Sequence, residues 1–298
     1  MILRLITFGA AGVVYLALRF WTLKGVIPLK AGHLSDLSSF QLFINVPPLV
    51  VKYIGKLLLP TSLNFDYVFD PVYSISEPRA FISALITIAL VIIIWRLALR
   101  AKEFAFALLL IFIPLLPALY IPALGLNTFT ERYLYLPSIG FALLVVLIVN
   151  KVIVEFSRSK GYSFKYKLTA VIVILSVLSV VIYSVATVKR NKLWHSGYTL
   201  WGDTVVKSPA SRIARNNYAI ELSKRGFQDE ALVHLQEAVL IDSDSALTYN
   251  NLGIVYAKKG MLNEALGAFK RAVEISPNDA DARRNYSRAL GLLKEGNR

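Results

Sequence analysis

Four stretches of this chain, residues 80–99, 104–123, 133–150 and 168–188, are each nearly free of charge and about 20 residues long, the length that carries a helix across bilayer hydrocarbon. In lipid every backbone N–H and C=O must be paired within the segment, so helices are what such runs can form. Residues 2–22 read as a further span. Arg4 and Arg19 lie near its ends, where long side chains reach the headgroups, and Phe20-Trp21-Thr22-Leu23-Lys24 offers no small-residue cleavage site. Residues 40–60 leave two alternatives, a span or an interfacial helix, because Lys52, Lys56 and Pro47-Pro48 interrupt the apolar run. Residues 1–193 are therefore expected to form a polytopic domain of five or six helices, an integral multi-pass membrane protein bounded by lipid.

Charge supplies the orientation. Residues 1–193 hold 19 Lys and Arg against 7 Asp and Glu, while 194–298 hold 14 against 12, so the net charge of +14 belongs mainly to the membrane half. Such a balance invites a nucleic-acid reading, but these cations lie in the connections between apolar runs, where they set topology. No nucleic-acid partner is expected. Arg96, Arg100 and Lys102 mark one connection as cytoplasmic, and Lys151, Arg158, Lys160, Lys165 and Lys167 mark 151–167 likewise. It follows that 61–79, 124–132 and everything after 188 face the extracytoplasmic side, although Lys189, Arg190 and Lys192 pull mildly the other way. With no cysteine, the chain has no disulfide and no thiolate metal site, and three scattered histidines make no cluster. No metal site is expected, and a divalent ion as cofactor is left open.

From 194 the pattern changes to a period of 34. In 246–279, Tyr249, Leu252, Gly253, Tyr256, Ala265, Phe269, Ala272 and Pro277 stand at the spacing of a tetratricopeptide repeat, a helix pair whose small residues admit the large ones of its neighbour. One period upstream, 212–245 supplies Tyr218, Ala219, Leu222, Ala231, Leu235 and Ala238 at corresponding places. Residues 280–294 add one more helix. Trp194 to Lys207, ending before Pro209, reads as a lone second helix with Trp201 in the place of Phe269. Two full repeats with a half-repeat at each end suffice for a stacked core. The expected fold is all-α: a transmembrane domain, 1–193, followed by an extracytoplasmic repeat domain, 194–298.

Three groups of residues are candidates for chemistry or binding. Glu131 and Arg132 stand side by side between two apolar runs, and charge at such a place is paired, wetted or used. Arg132 suits the phosphate of a lipid-linked donor, with Glu131 orienting it or the acceptor. The alternative is that the pair marks the water interface beside Tyr133 and Tyr135. Asp66 and Asp70 lie on the same expected side and suit a base or metal ligand for sugar transfer, or else the turn before Pro71. Asn217, Asn251 and Asn285 recur at the period of 34, so stacking is expected to align them on the concave surface. Carboxamides there can pair with the backbone of an extended acceptor peptide, or simply face solvent. No Gly-rich phosphate loop, nucleophile elbow or zinc-ligand spacing is present in the sequence.

Glu131-Arg132-Tyr133-Leu134-Tyr135-Leu136-Pro137-Ser138-Ile139-Gly140-Phe141 resembles the Glu-Arg-x-Leu-Tyr-x-Pro-Ser-x-Gly-Phe segment of the transmembrane and tetratricopeptide repeat-containing O-mannosyltransferases and their prokaryotic relatives. Tyr53, Leu58, Leu59, Pro60, Leu63 and Asp66 are similar to that family more loosely, and Trp194 fits its junction before the repeats. The resemblance implies a GT-C type membrane glycosyltransferase. Such an enzyme takes sugar from a polyprenyl-phosphate carrier and places it on Ser or Thr of acceptor proteins held by the repeats. It departs from the family in one respect: the acidic motif expected in the first outer loop is not found, since no acidic pair precedes Asp36. The chain is accordingly read as the C-terminal portion of such a transferase, incomplete as a catalyst by itself. The rival reading is a membrane-anchored repeat scaffold for protein-protein interaction, without catalysis.

Overall fold

The structure, a computed structural model, describes residues 37–119, 121, 128–160 and 162–296. The expected span at 2–22 lies outside them. Among the described residues every regular element is helical, as the apolar runs and the repeat pattern require. Contacts divide the chain into two compact units, Met1–Leu59 with Phe69–Leu144, and Pro60–Val68 with Val145–Arg298.

In the first unit, residues 40–60 do not form one span-length helix. They break into α1, Ser39–Ile44, and α2, Val46–Leu58, each too short to cross hydrocarbon. The break has a local cause. Ser38 caps α1 in a reciprocal box with Gln41, and prolines occupy the first turn of α2, where a missing N–H costs nothing. Asn45 fills the joint. Its amide donates to the Gln41 and Val72 carbonyls at 2.7 and 2.8 Å, and its carbonyl accepts from Val72 N–H at 2.9 Å. Ile44, Val72 and Ala80 pack around that clasp.

Two span-length helices follow, α3 (Pro78–Arg100) and α4 (Lys102–Leu119). The apolar face of α4 is partly covered by protein, through Leu108, Ile111, Leu115 and Ala118, spaced as one side of a helix requires. Helix α3 buries only Ala80 and Ser83 and turns the rest of its apolar surface outward, as a lipid-facing helix does. A 3₁₀ turn at Glu131–Leu134 leads into α5, Tyr135–Lys160. Gly140 lets α5 approach α4 closely: a Cβ there would lie 2.7 Å from the Ala107 carbonyl oxygen and 2.8 Å from the Ile111 nitrogen.

Beyond it, α6 spans Tyr162–Leu193. The basic segment 151–167, read as a connection, is therefore mostly helical, because Lys and Arg are good helix formers. Segments 78–100, 102–119, 131–155 and 166–193 are long and apolar enough to cross a membrane. This is a membrane protein.

The second unit contains the repeats. After α7 (Gly197–Lys207) come two antiparallel pairs, α8 (Arg212–Lys224) with α9 (Gln228–Ile241), and α10 (Ala246–Lys258) with α11 (Leu262–Ile275), then α12 (Ala280–Gly296). Ser196, Ser211 and Ser245 cap α7, α8 and α10 through their hydroxyls. Gly226 and Gly260, 34 residues apart, take positive φ of 89° and 77° at the tight turns between paired helices, where a Cβ is strained. Ala219, Leu222, Ala231, Leu235, Leu252 and Val255 form one continuous core with Tyr218, Tyr249 and Tyr256 against it.

Candidate functional site

Glu131 and Arg132 stand in the 3₁₀ turn, after Thr130 in extended conformation. Glu131 is half-buried and Arg132 exposed, with the guanidinium 5.5 Å from the centre of the Tyr133 ring. Pro137 and Gly140 turn toward protein while Tyr135, Leu136 and Ile139 face outward. The segment thus has one packed side and one exposed side. On its packed side lies α2: Phe129 meets Tyr53 with ring centres 4.5 Å apart, and Lys52 Nζ sits 4.4 Å over the Phe129 ring. Sequence reasoning took Lys52 only as an interruption of an apolar run.

The two aspartates fall in different units. Asp70 is exposed and accepts from Arg79 Nη1 at 2.6 Å, a surface pair of small energetic weight. Asp66 is buried, 7% exposed, and its carboxylate accepts from the Ser211 hydroxyl. The physical reason lies in α8. Ser211 Oγ also accepts from Ala214 N–H as the helix N-cap, so Asp66 places a negative charge at the positive end of that helix.

Its neighbours complete a strap. Asn64 Nδ2 reaches Ser208 Oγ at 2.8 Å, Ser208 Oγ donates to the Asp66 carbonyl at 2.8 Å, and Lys207 Nζ reaches the Leu63 carbonyl at 2.9 Å. Phe65 meets Trp194 and Trp201 edge-to-face, at 5.3 and 5.0 Å.

The asparagines are brought together in a particular way. Asn251 Nδ2 donates to Asn216 Oδ1 at 3.0 Å, and Asn285 Nδ2 donates to Asn250 Oδ1 at 2.9 Å. Asn251 and Asn285 of the expected row thus each bond to the residue one place earlier in the preceding repeat. Asn251 is buried, whereas Asn217 and Asn285 are half-buried. The signal was in the sequence: Asn216-Asn217 and Asn250-Asn251 are doublets 34 apart, and only the second member of each was singled out. Near this row, Tyr218 is pushed up to about 12 by burial and by its hydrogen bond with Tyr198. Burial lowers the pKa of His234 against the opposing pull of Glu237.

The model of the tetratricopeptide repeat matches residues 246–279, and a second model of the same repeat matches 221–260. The mouse protein O-mannosyl-transferase TMTC1 is 27% identical over 240 residues, covering 76% of this chain and 24% of its own length. Protein O-mannosyl-transferase F38B6.6 of Caenorhabditis elegans is 27% identical over 208 residues, covering 69% and 28%. Protein O-mannosyl-transferase Tmtc2 of Drosophila melanogaster is 34% identical over 110 residues, covering 37% and 10%. The chain spans about a quarter of the length of the first of these relatives. Among solved structures, the Sgt2 repeat domain from Aspergillus fumigatus is 19% identical with a TM-score of 0.33, covering 38% of this chain and 75% of that one. The first two alignments are too long for the repeats alone to supply and reach into the apolar helices. In both its membrane helices and its tetratricopeptide repeats, the chain is similar to the transmembrane and tetratricopeptide repeat-containing protein O-mannosyltransferases.

Proposed function

We propose that this chain is the C-terminal portion of a membrane protein glycosyltransferase that uses a polyprenyl-phosphate-linked sugar, with the repeats holding the acceptor protein. The observation that carries the reading is the similarity to protein O-mannosyl-transferases along both the apolar helices and the repeats. In this reading 1–193 is the membrane domain, and 194–298 lies on the extracytoplasmic side, where the acceptor is met. Arg132 holds the donor phosphate through its planar set of donors, and Glu131, next to it, positions the donor or acceptor. Asp70 stands on the same expected side as a further acid. Asp66, held by Ser211, anchors the strap.

The test is donor binding by the full chain in lipid nanodiscs. Arg132→Ala should weaken binding of a polyprenyl phosphate at least tenfold, the loss of one charge-assisted contact being about 1.5–3 kcal/mol. Full retention would favour a membrane-anchored repeat scaffold. That second reading has one observation behind it: Asp66 and Asp70 are both engaged, with Ser211 and Arg79.

For the acceptor, changing Asn217, Asn251 and Asn285 together to Ala should weaken capture of unstructured Ser/Thr-containing peptides severalfold. The circular dichroism of the repeats serves as the control, since two of the three also bond across repeats. Unchanged affinity with an intact repeat stack would remove the asparagine row from the acceptor site.

A further inference from the structure

Helix α3 carries on its outward side a groove of about 510 Å³, lined by Val91, Ile92, Trp95, Arg96, Leu99 and Arg100. Their spacing puts all six on one face of the helix. At 1.5 Å per residue the stretch from Val91 to Arg100 runs about 14 Å. One leaflet of hydrocarbon is about that deep, being half of roughly 30 Å. Val91, Trp95 and Leu99 are 60%, 70% and 72% exposed, so the described residues leave this face uncovered.

The groove changes character along its length. Its Val91 end is apolar and lies within the span, whereas its other end, at the close of α3, holds both guanidinium groups. Arg100 stands in the last turn, where the carbonyl end of the helix favours a cation. Arg96 lies one turn deeper and lacks that support, but its long side chain can reach back to the headgroup level. Among the described residues neither arginine has a hydrogen bond or an ion pair. A charge kept at such a depth is paired, wetted or used. An apolar tail joined to an anionic head has the same gradient as the groove. A covering protein helix would instead have to bring an acid to the arginine end, and a zwitterionic lipid brings its own cation to the phosphate.

We infer that this groove binds one anionic phospholipid. Its phosphate is held by Arg96 and Arg100, and an acyl chain lies along Leu99, Trp95, Ile92 and Val91 toward the middle of the span. Two guanidinium groups one turn apart offer planar sets of donors that match phosphate oxygens, and basic sites at helix ends are where anionic headgroups are recognised. The site is independent of the role given to Arg132.

The test uses the full chain in phosphatidylcholine vesicles and reads the quenching of Trp95 fluorescence by phospholipids with brominated acyl chains, with phosphatidylglycerol as the anionic probe. Trp21, Trp194 and Trp201 are the other tryptophans, and Trp95→Phe gives their share of the signal. Brominated phosphatidylglycerol should bind at Trp95 about tenfold more strongly than brominated phosphatidylcholine. Arg96→Gln combined with Arg100→Gln should abolish that preference, while Lys102→Gln, outside the groove, should leave it unchanged. No preference in the wild type, or the full preference kept in the double variant, overturns the inference. An equal loss with Lys102→Gln would make the effect a general surface field and also overturn it. Quenching of Trp95 by neither lipid would mean that protein covers the face, which removes lipid from it. Displacement of the probe by polyprenyl phosphate at a lower concentration than by unbrominated phosphatidylglycerol would overturn the phospholipid as occupant. If the double variant fails to fold, Arg100→Gln alone decides: a severalfold loss of preference supports the site, and an unchanged preference overturns it.

Discussion

Gly140→Val should push α4 and α5 apart and destabilise the first unit by about 3 kcal/mol, the upper range for forcing atoms into a packed interface. A Cβ at Gly140 alone would lie within 2.8 Å of the Ala107 carbonyl oxygen and the Ile111 nitrogen. Both are backbone atoms of a helix and cannot rotate away, so relief requires moving the helix itself. In lipid, where apolar surface gains little by leaving the bilayer, close approach over small residues is a main source of helix association. The variant should show a lower thermal midpoint in detergent and faster proteolysis of the 100–103 connection, while Gly140→Ala shows the same change at smaller size. An unchanged midpoint for Gly140→Val would mean that the two helices are not held at this distance.

Phe269→Ala should cost the repeats about 3–5 kcal/mol, the range for truncating a buried aromatic ring. Phe269 is 4% exposed, shares a core with Ala265 and Ala289, and lies so close to Gly253 that a Cβ there would fall 2.6 Å from the ring. The hole would be framed by helices α10, α11 and α12, where Ile254, Tyr256, Leu266 and Tyr286 pack against the same core. Because a repeat array is coupled mainly between neighbours, amide hydrogen exchange should accelerate most in α10–α12 and less in α8. A loss below 1 kcal/mol would show that the neighbouring helices collapse onto the gap.

The parts of this fold that were legible in the sequence are those set by periodicity. Ala265, Phe269, Ala272 and Leu252 are buried where a 34-residue pattern puts them, because each repeat sees the same surroundings as the next. The ambiguity at 40–60 was different in kind. The Ser38 cap and the prolines of α2 are local, but the clasp that holds the break joins Asn45 to Val72, 27 residues away, and no local pattern announces such a pairing. Asp66 is the same case over a longer distance: its acidity was visible, its engagement with Ser211 was not. Lys52 was visible as a charge in an apolar run, yet its place over Phe129 depends on how α2 meets the turn that leads into α5.

The strap at Pro60–Val68 also sets an order in time. Its partners Lys207, Ser208 and Ser211 are made 142 to 145 residues after it. At a synthesis rate of roughly 5–20 residues per second, that is a wait on the order of ten to thirty seconds. Throughout that interval Asn64, Phe65 and Asp66 have no Ser208, Trp201 or Ser211 to meet, and several apolar helices must be inserted before they do. A newborn chain therefore carries an open aromatic hook ahead of helices α3–α6, and whatever chaperone or processing enzyme reaches that hook has seconds, not milliseconds, in which to act.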